Sequence, residues 1–70
     1  MFEIYEKHRS YKRARRTGFV TDDYNRLINA VEKTMTTWWW KNGVYEWIKI
    51  KNKETGKYVK IFENPNYVNK

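Results

Sequence analysis

The side chains that could carry chemistry in this sequence are mainly cations and aromatic rings. The 70 residues include 15 Lys and Arg against 8 Asp and Glu, a formal net charge of +7, together with four Trp, six Tyr and three Phe. Cations attract phosphate groups, and aromatic rings offer faces on which bases stack. The combination indicates an anionic partner, and single-stranded nucleic acid or RNA is the first candidate. Excess charge also keeps a small aromatic-rich protein in solution, which is the alternative explanation.

The cations are concentrated near the N-terminus. Residues 7–16 contain six Lys or Arg and no acid, and they show no apolar period. The missing period predicts a basic N-terminal arm. Arginine-rich segments of this kind often become ordered only on binding RNA. The predicted phosphate contacts are Lys12, Arg13, Arg15 and Arg16 in the arm and Lys49, Lys51 and Lys60 further along the chain.

Residues for catalysis or metal binding are sparse. There is no cysteine and only one histidine, His8, so disulfides and thiolate metal sites are excluded. No glycine-rich phosphate loop, paired nucleophile and base, or carboxylate cluster is present. We therefore predict no enzyme, metal or cofactor. The catalytic alternative is a metal-independent ribonuclease with His8 or Glu46 as base, which matches small mRNA-cleaving toxins in size and basicity but in no motif.

One segment is predicted as a helix, residues 21–36. Thr21 is a suitable N-cap, and Asp22 and Asp23 place negative charge in the first turn. Apolar side chains then follow with the spacing of one buried helix face, at Tyr24, Leu27, Ile28, Val31 and Met35.

The segment TTWWWK after the helix has two interpretations. In the first, residues 37–63 form two antiparallel hairpins, and Asn42-Gly43 makes the type I′ turn of the first. In the second, the helix continues through Trp38 and Trp39 with Gly43 as its C-terminal cap, and residues 2–6 supply the third strand. The first interpretation predicts an α+β domain, with one helix packed on a three-stranded antiparallel sheet. Residues 1–20 are then a strand plus the arm, and 64–70 a loose tail.

The second hairpin turns at residues 53–56, and its register pairs Ile50 with Val59 and Ile48 with Ile61. The aliphatic side chains and Trp39 then face the helix. The opposite face carries the predicted lysines and the predicted base-stacking or partner-binding rings, which are Trp38, Trp40, Tyr45, Trp47 and Tyr58. Alternatively, the N-terminal strand covers these rings, and they belong to the core.

These patterns predict a single domain that binds nucleic acid without catalysis. The second hypothesis is a small inhibitor or modulator of a larger protein, of the kind that viruses direct against host or defence proteins. No signal peptide and no run of about 20 apolar residues is visible, so we expect a cytoplasmic protein. The second hypothesis adds that it is virus-encoded and acts in the host cell.

Overall fold

The structure is a computed structural model that describes residues 1–67. Its elements are β1 (Phe2–His8), β2 (Arg15–Thr21), α1 (Tyr24–Met35), α2 (Trp38–Lys41), β3 (Tyr45–Asn52) and β4 (Lys57–Glu63). The strands form one sheet in the order β2-β1-β3-β4, and all neighbours are antiparallel. The α+β class is confirmed. The predicted three strands and one helix are wrong, because the described part has four strands and two helices.

The predicted N-terminal arm is largely a hairpin. β1 lies inside the sheet, and four of the ten residues of the basic segment belong to strands: residues 7 and 8 end β1, and residues 15 and 16 begin the edge strand β2. Charged residues are common on edge strands, where they remain solvated and discourage pairing with other chains. The other six residues, 9–14, which include Lys12 and Arg13, form the connection between the two strands. The lack of an apolar period therefore corresponds to an exposed connection and the exposed strand end beside it.

The N-cap of α1 lies two residues after the predicted one. Asp23 is the N-cap, and its side chain accepts a hydrogen bond from the Arg26 backbone amide at 3.2 Å. Thr21 instead accepts a hydrogen bond from the backbone amide of Asp23. Leu27 and Val31 are the fully buried positions of the predicted apolar face.

The three tryptophans form a second, short helix, so the predicted strand and type I′ turn are wrong. Gly43 has φ 75°, but Asn42 has φ −98°, whereas a type I′ turn requires positive φ at both. The amides of Gly43 and Val44 donate to the carbonyls of Trp40 and Trp39. This is the Schellman pattern, which ends a helix at a glycine. The alternative with Gly43 as a cap was closer to the structure, although the helix is interrupted after Met35 and a separate helix, α2, begins at Trp38.

The β3–β4 hairpin starts in the predicted register and then leaves it. Near the turn, Asn52 pairs with Lys57 and Lys51 with Tyr58, as predicted. A bulge at Val59 then shifts the pairing by one residue, so that Ile50 lies opposite Lys60. A one-residue shift sends the following side chains to the other face of the sheet.

The core lies between the sheet and the two helices. Its buried members are Ile4, Leu27, Val31, Trp40, Ile48 and Ile50. Asn64 closes one end of this core: its side-chain amide donates to the carbonyls of Trp40 and Tyr45 at 2.8 and 2.9 Å. The predicted loose tail is thus wrong at Asn64, which is buried, and its last residues, 68–70, lie outside the described residues. Within the described chain, no helix is long and apolar enough to cross a membrane.

Candidate nucleic-acid interface

The sheet has one face turned away from both helices, which we call the open face. Strand pairing assigns its residues, because directly opposite side chains lie on the same side of a sheet. On the helix side, Ile4 of β1 pairs with Ile50 of β3, and both are buried. The intervening positions therefore form the open face. They are Glu3, Tyr5 and Lys7 of β1, Arg16 and Val20 of β2, Trp47, Lys49 and Lys51 of β3, and Tyr58, Ile61 and Glu63 of β4.

Rings and ammonium groups alternate at the centre of the open face. The Lys49 Nζ atom lies 4.0 Å from the ring centroid of Trp47 and 5.2 Å from that of Tyr58. The Lys51 Nζ atom lies 5.3 Å from the ring of Tyr5, and the rings of Tyr5 and Tyr58 meet edge to face at 6.0 Å. These five side chains form one continuous surface, which we call the aromatic–lysine patch.

Four of the predicted site residues lie in this patch: Trp47, Tyr58, Lys49 and Lys51. Tyr5 was not predicted as a site residue, although the alternation of FEIYE places its side chain on the opposite face from Ile4. The missing information was the central position of β1, which pairs with β3 over its whole length. No local feature of residues 2–6 specifies that partner.

The three consecutive tryptophans lie away from the patch, on α2. Trp40 is buried in the core, whereas Trp38 and Trp39 are 61% and 55% exposed and meet edge to face at 5.1 Å. The prediction that Trp39 is core and that Trp40 is surface is therefore wrong. Helical geometry, with about 100° between successive side chains, turns only one of the three rings inward.

Tyr45 and Lys60 also lie on the helix side of the sheet. The Tyr45 ring packs against Trp40, with 6.0 Å between ring centroids, and burial together with the nearby Glu6 carboxylate raises the pKa of its hydroxyl to about 12. Lys60 follows the bulge at Val59, and its ammonium group lies over Phe62. Both side chains were predicted to share a face with Trp47, and the structure separates them from it.

The predicted phosphate contacts of the N-terminal segment are all exposed. Lys12 and Arg13 lie in the β1–β2 connection. Arg15 donates a hydrogen bond to the Tyr11 hydroxyl at 2.7 Å. Arg16 reaches over the open face, where its Nη2 atom lies 2.8 Å from the Glu3 carboxylate. Arg16 therefore borders the patch at the β2 edge, whereas Arg15 lies opposite Glu6 on the helix side of the sheet.

Glu3 is a buried acid on the open face, with a side chain only 2% exposed. Burial raises its pKa, but the hydrogen bonds and positive charge of Arg16 outweigh that effect and hold the pKa of Glu3 below its ordinary value. A carboxylate with a lowered folded-state pKa contributes stability above its unfolded pKa, and this contribution is lost as the pH falls through the folded value.

We therefore expect the protein to lose stability on acidification below the ordinary Glu pKa of 4.5. Urea unfolding at pH 7 and at pH 3 measures the difference. Glu3→Gln is expected to reduce this difference, because the amide does not titrate. Glu63→Gln, an exposed acid, is the control. An unchanged pH dependence in Glu3→Gln would contradict the assignment to the buried ion pair.

The two candidate bases, His8 and Glu46, each contact other side chains. His8 packs between Tyr11 and Tyr45, with centroid distances of 4.6 and 4.1 Å, and its Nε2 atom is buried. Glu46 lies 3.3 Å from the Lys7 ammonium group. His8 is thus held by ring packing and Glu46 by an ion pair. Residues 1–67 contain no group of three side chains suited to holding a metal ion.

Comparison of the chain with protein-family models, with curated proteins and with solved structures found no match. The features of the chain that bear on function are therefore the geometry of the aromatic–lysine patch and the charge around it.

Proposed function

We propose that this protein binds single-stranded nucleic acid, with RNA as the preferred form, on the open face of its sheet. The observation that carries the proposal is the aromatic–lysine patch, in which Trp47, Tyr5 and Tyr58 alternate with two lysines. Unpaired bases stack on such rings, and the ammonium groups lie within reach of the phosphates that link them.

The position of the patch also supports single strands over a duplex. The rings lie on a sheet surface, and the bases of a duplex are stacked on each other and unavailable for this contact. Stacking contributes about 1–3 kcal/mol per base, so two or three stacked bases provide useful affinity. The exposed cations at the β2 edge extend the positive surface along which the backbone runs.

A fluorescence titration tests the proposal. The variant Trp38→Phe/Trp39→Phe removes the two exposed indoles of α2, so that Trp47 is the main indole accessible to a ligand, since Trp40 is buried. Single-stranded RNA is expected to quench this emission strongly, and duplex RNA only weakly. If about three phosphates are neutralised, log K falls with log salt with a slope of about −2. Failure of single strands to bind near physiological salt would overturn the proposal.

A second candidate is the inhibition or redirection of a larger protein, and the exposed Trp38–Trp39 pair favours it. Tryptophan is enriched at the energetic centres of protein interfaces. In this case the pair on α2 contacts the partner, and the aromatic–lysine patch is not required. Nucleic-acid binding that is weak and unaffected by loss of Trp47 would favour this candidate over the first.

A further inference from the structure

A cleft opens on the helix side of the sheet, between the edge strand β2 and the helix α1. Its volume is about 330 Å³, at the small end of the range typical of ligand sites. The floor is apolar and is formed mainly by Ile4, Phe19, Val31 and Ile48. The sheet separates this cleft from the rings and lysines of the open face. Arg15 and Arg16 line the cleft and are also among the predicted phosphate contacts.

The rim of the cleft carries an acid and a cation that are directed apart. Glu6 and Arg15 are opposite each other on β1 and β2, and both line the cleft. Glu6 is 17% exposed, and its Oε1 atom lies 3.4 Å from His8 Nε2. Arg15 is directed to the Tyr11 hydroxyl instead. A ligand in the cleft therefore meets a carboxylate that accepts hydrogen bonds and a guanidinium that donates them.

A guanine nucleotide matches all three features. The apolar floor suits one face of a planar base. The N1–H and N2–H groups of guanine are adjacent donors, and an ionised carboxylate accepts such a pair with its two oxygens. Adenine presents one donor beside an acceptor, which the carboxylate repels. The phosphate group matches the forked donors of an arginine.

We propose that this cleft binds guanosine 5′-monophosphate, with Glu6 accepting from the base edge and Arg15 donating to the phosphate. The nucleotide is either free or the 5′-terminal residue of a strand. This site shares Arg15 with the predicted phosphate contacts but uses none of the rings and lysines of the open face, so loss of nucleotide binding in the cleft and loss of strand binding on the open face are distinguishable.

A titration followed by two-dimensional ¹H–¹⁵N NMR tests the assignment. GMP is expected to shift the amides of Phe19, Ala30 and Val31, with affinity at least about tenfold above that of AMP, which is about 1.4 kcal/mol. Inorganic phosphate is expected to bind more weakly than either nucleotide. Equal affinity for GMP and AMP, or no shift of these amides, would overturn the proposal.

A short oligonucleotide with a 5′-phosphorylated guanosine distinguishes the two sources of the ligand. If it shifts the same cleft amides at lower concentration than GMP does, the site takes the end of a strand. If GMP is at least as effective, the site takes the free nucleotide. Either result supports the cleft assignment. If the oligonucleotide shifts only open-face amides and GMP shifts no amides, the cleft is not a nucleotide site, while the proposed function is unaffected.

Variants separate the roles of the rim and the floor. Ala30 lines the cleft, so Ala30→Leu is expected to fill it and to weaken GMP binding at least about tenfold. Asn29→Leu places the same side chain at the adjacent exposed position and is the control.

Glu6→Gln is expected to abolish the preference for GMP over AMP, whereas Arg15→Gln is expected to weaken the binding of both nucleotides. These two variants keep the proposal testable if Ala30→Leu does not fold. A preference for GMP that persists in Glu6→Gln would reject the role assigned to the carboxylate.

Discussion

Trp40→Ala is expected to remove most of the free energy of unfolding, whereas the same substitution at Trp38 or Trp39 is expected to leave the protein folded. Trp40 is only 6% exposed and packs with Leu27, Val31 and Ile48 in the core. Truncating a buried tryptophan to alanine typically costs 3–5 kcal/mol, because the lost burial is accompanied by a cavity. A 70-residue domain has a total stability of roughly 4–10 kcal/mol on a per-residue scale.

The local hydrogen bonds make Trp40 more important than its size alone indicates. Its carbonyl accepts hydrogen bonds from Gly43 and from the Asn64 side chain, so it connects the end of α2 to the segment after β4. A displaced Trp40 therefore disturbs the cap and leaves the Asn64 amide with only its hydrogen bond to Tyr45. Loss of one intramolecular hydrogen bond adds about 0.5–1.5 kcal/mol to the cost.

Thermal unfolding followed by circular dichroism measures this prediction. Trp40→Ala is expected to show no cooperative transition, or one lowered by more than about 15 °C, since about 1 kcal/mol corresponds to 4–8 °C for a domain of this size. Trp38→Ala and Trp39→Ala are chemically identical controls in the same short helix, and surface substitutions usually change stability by about 0.5 kcal/mol or less. Similar melting of all three variants would contradict the structure of α2.

Local signals in the sequence predicted two elements correctly because their causes are local. The apolar spacing of α1 follows from residues within the helix itself. The turn at 53–56 needs a glycine at its last position, and Gly56 has φ 72° there. In both elements, the residues that specify the conformation are close neighbours in the chain.

The errors have causes that are not local. Asn42-Gly43 suits both a hairpin turn and a helix end, since each uses a glycine with positive φ. The choice between them depends on whether Trp40 finds a core to enter, which tertiary packing decides. Likewise, the bulge at Val59 decides which face carries Lys60 and Ile61, and nothing in residues 57–63 alone marks its position.

The aromatic–lysine patch was predicted in part for a similar reason. Trp47, Lys49 and Lys51 alternate within one strand, so period-two geometry was sufficient to place them together. Tyr58 joined them because the register near the turn was correct. Tyr5 comes from a strand distant in sequence, and Lys60 lies beyond the bulge, so neither could be assigned from one hairpin.

Trp47→Ala is expected to weaken binding of single-stranded RNA by about 10- to 100-fold while leaving the fold intact. Stacking of one base contributes about 1–3 kcal/mol, and each 1.4 kcal/mol is a factor of ten in affinity. The Trp47 ring lies under the Lys49 ammonium group and outside the buried core. Its loss therefore removes a stacking surface and the contact that holds this lysine. Trp39→Ala is the matched control, since that ring is exposed on α2.

The lysines provide a second, independent readout of the same surface. Lys49 and Lys60 lie on neighbouring strands but on opposite faces of the sheet. Lys49→Gln is expected to reduce the salt dependence of log K by about 0.7, the contribution of one phosphate contact for a single strand, and Lys60→Gln is expected to leave it unchanged. Filter binding at several salt concentrations measures both slopes. Equal slopes for the two variants would show that RNA responds to net charge alone, because both substitutions remove one positive charge and only their position on the sheet differs.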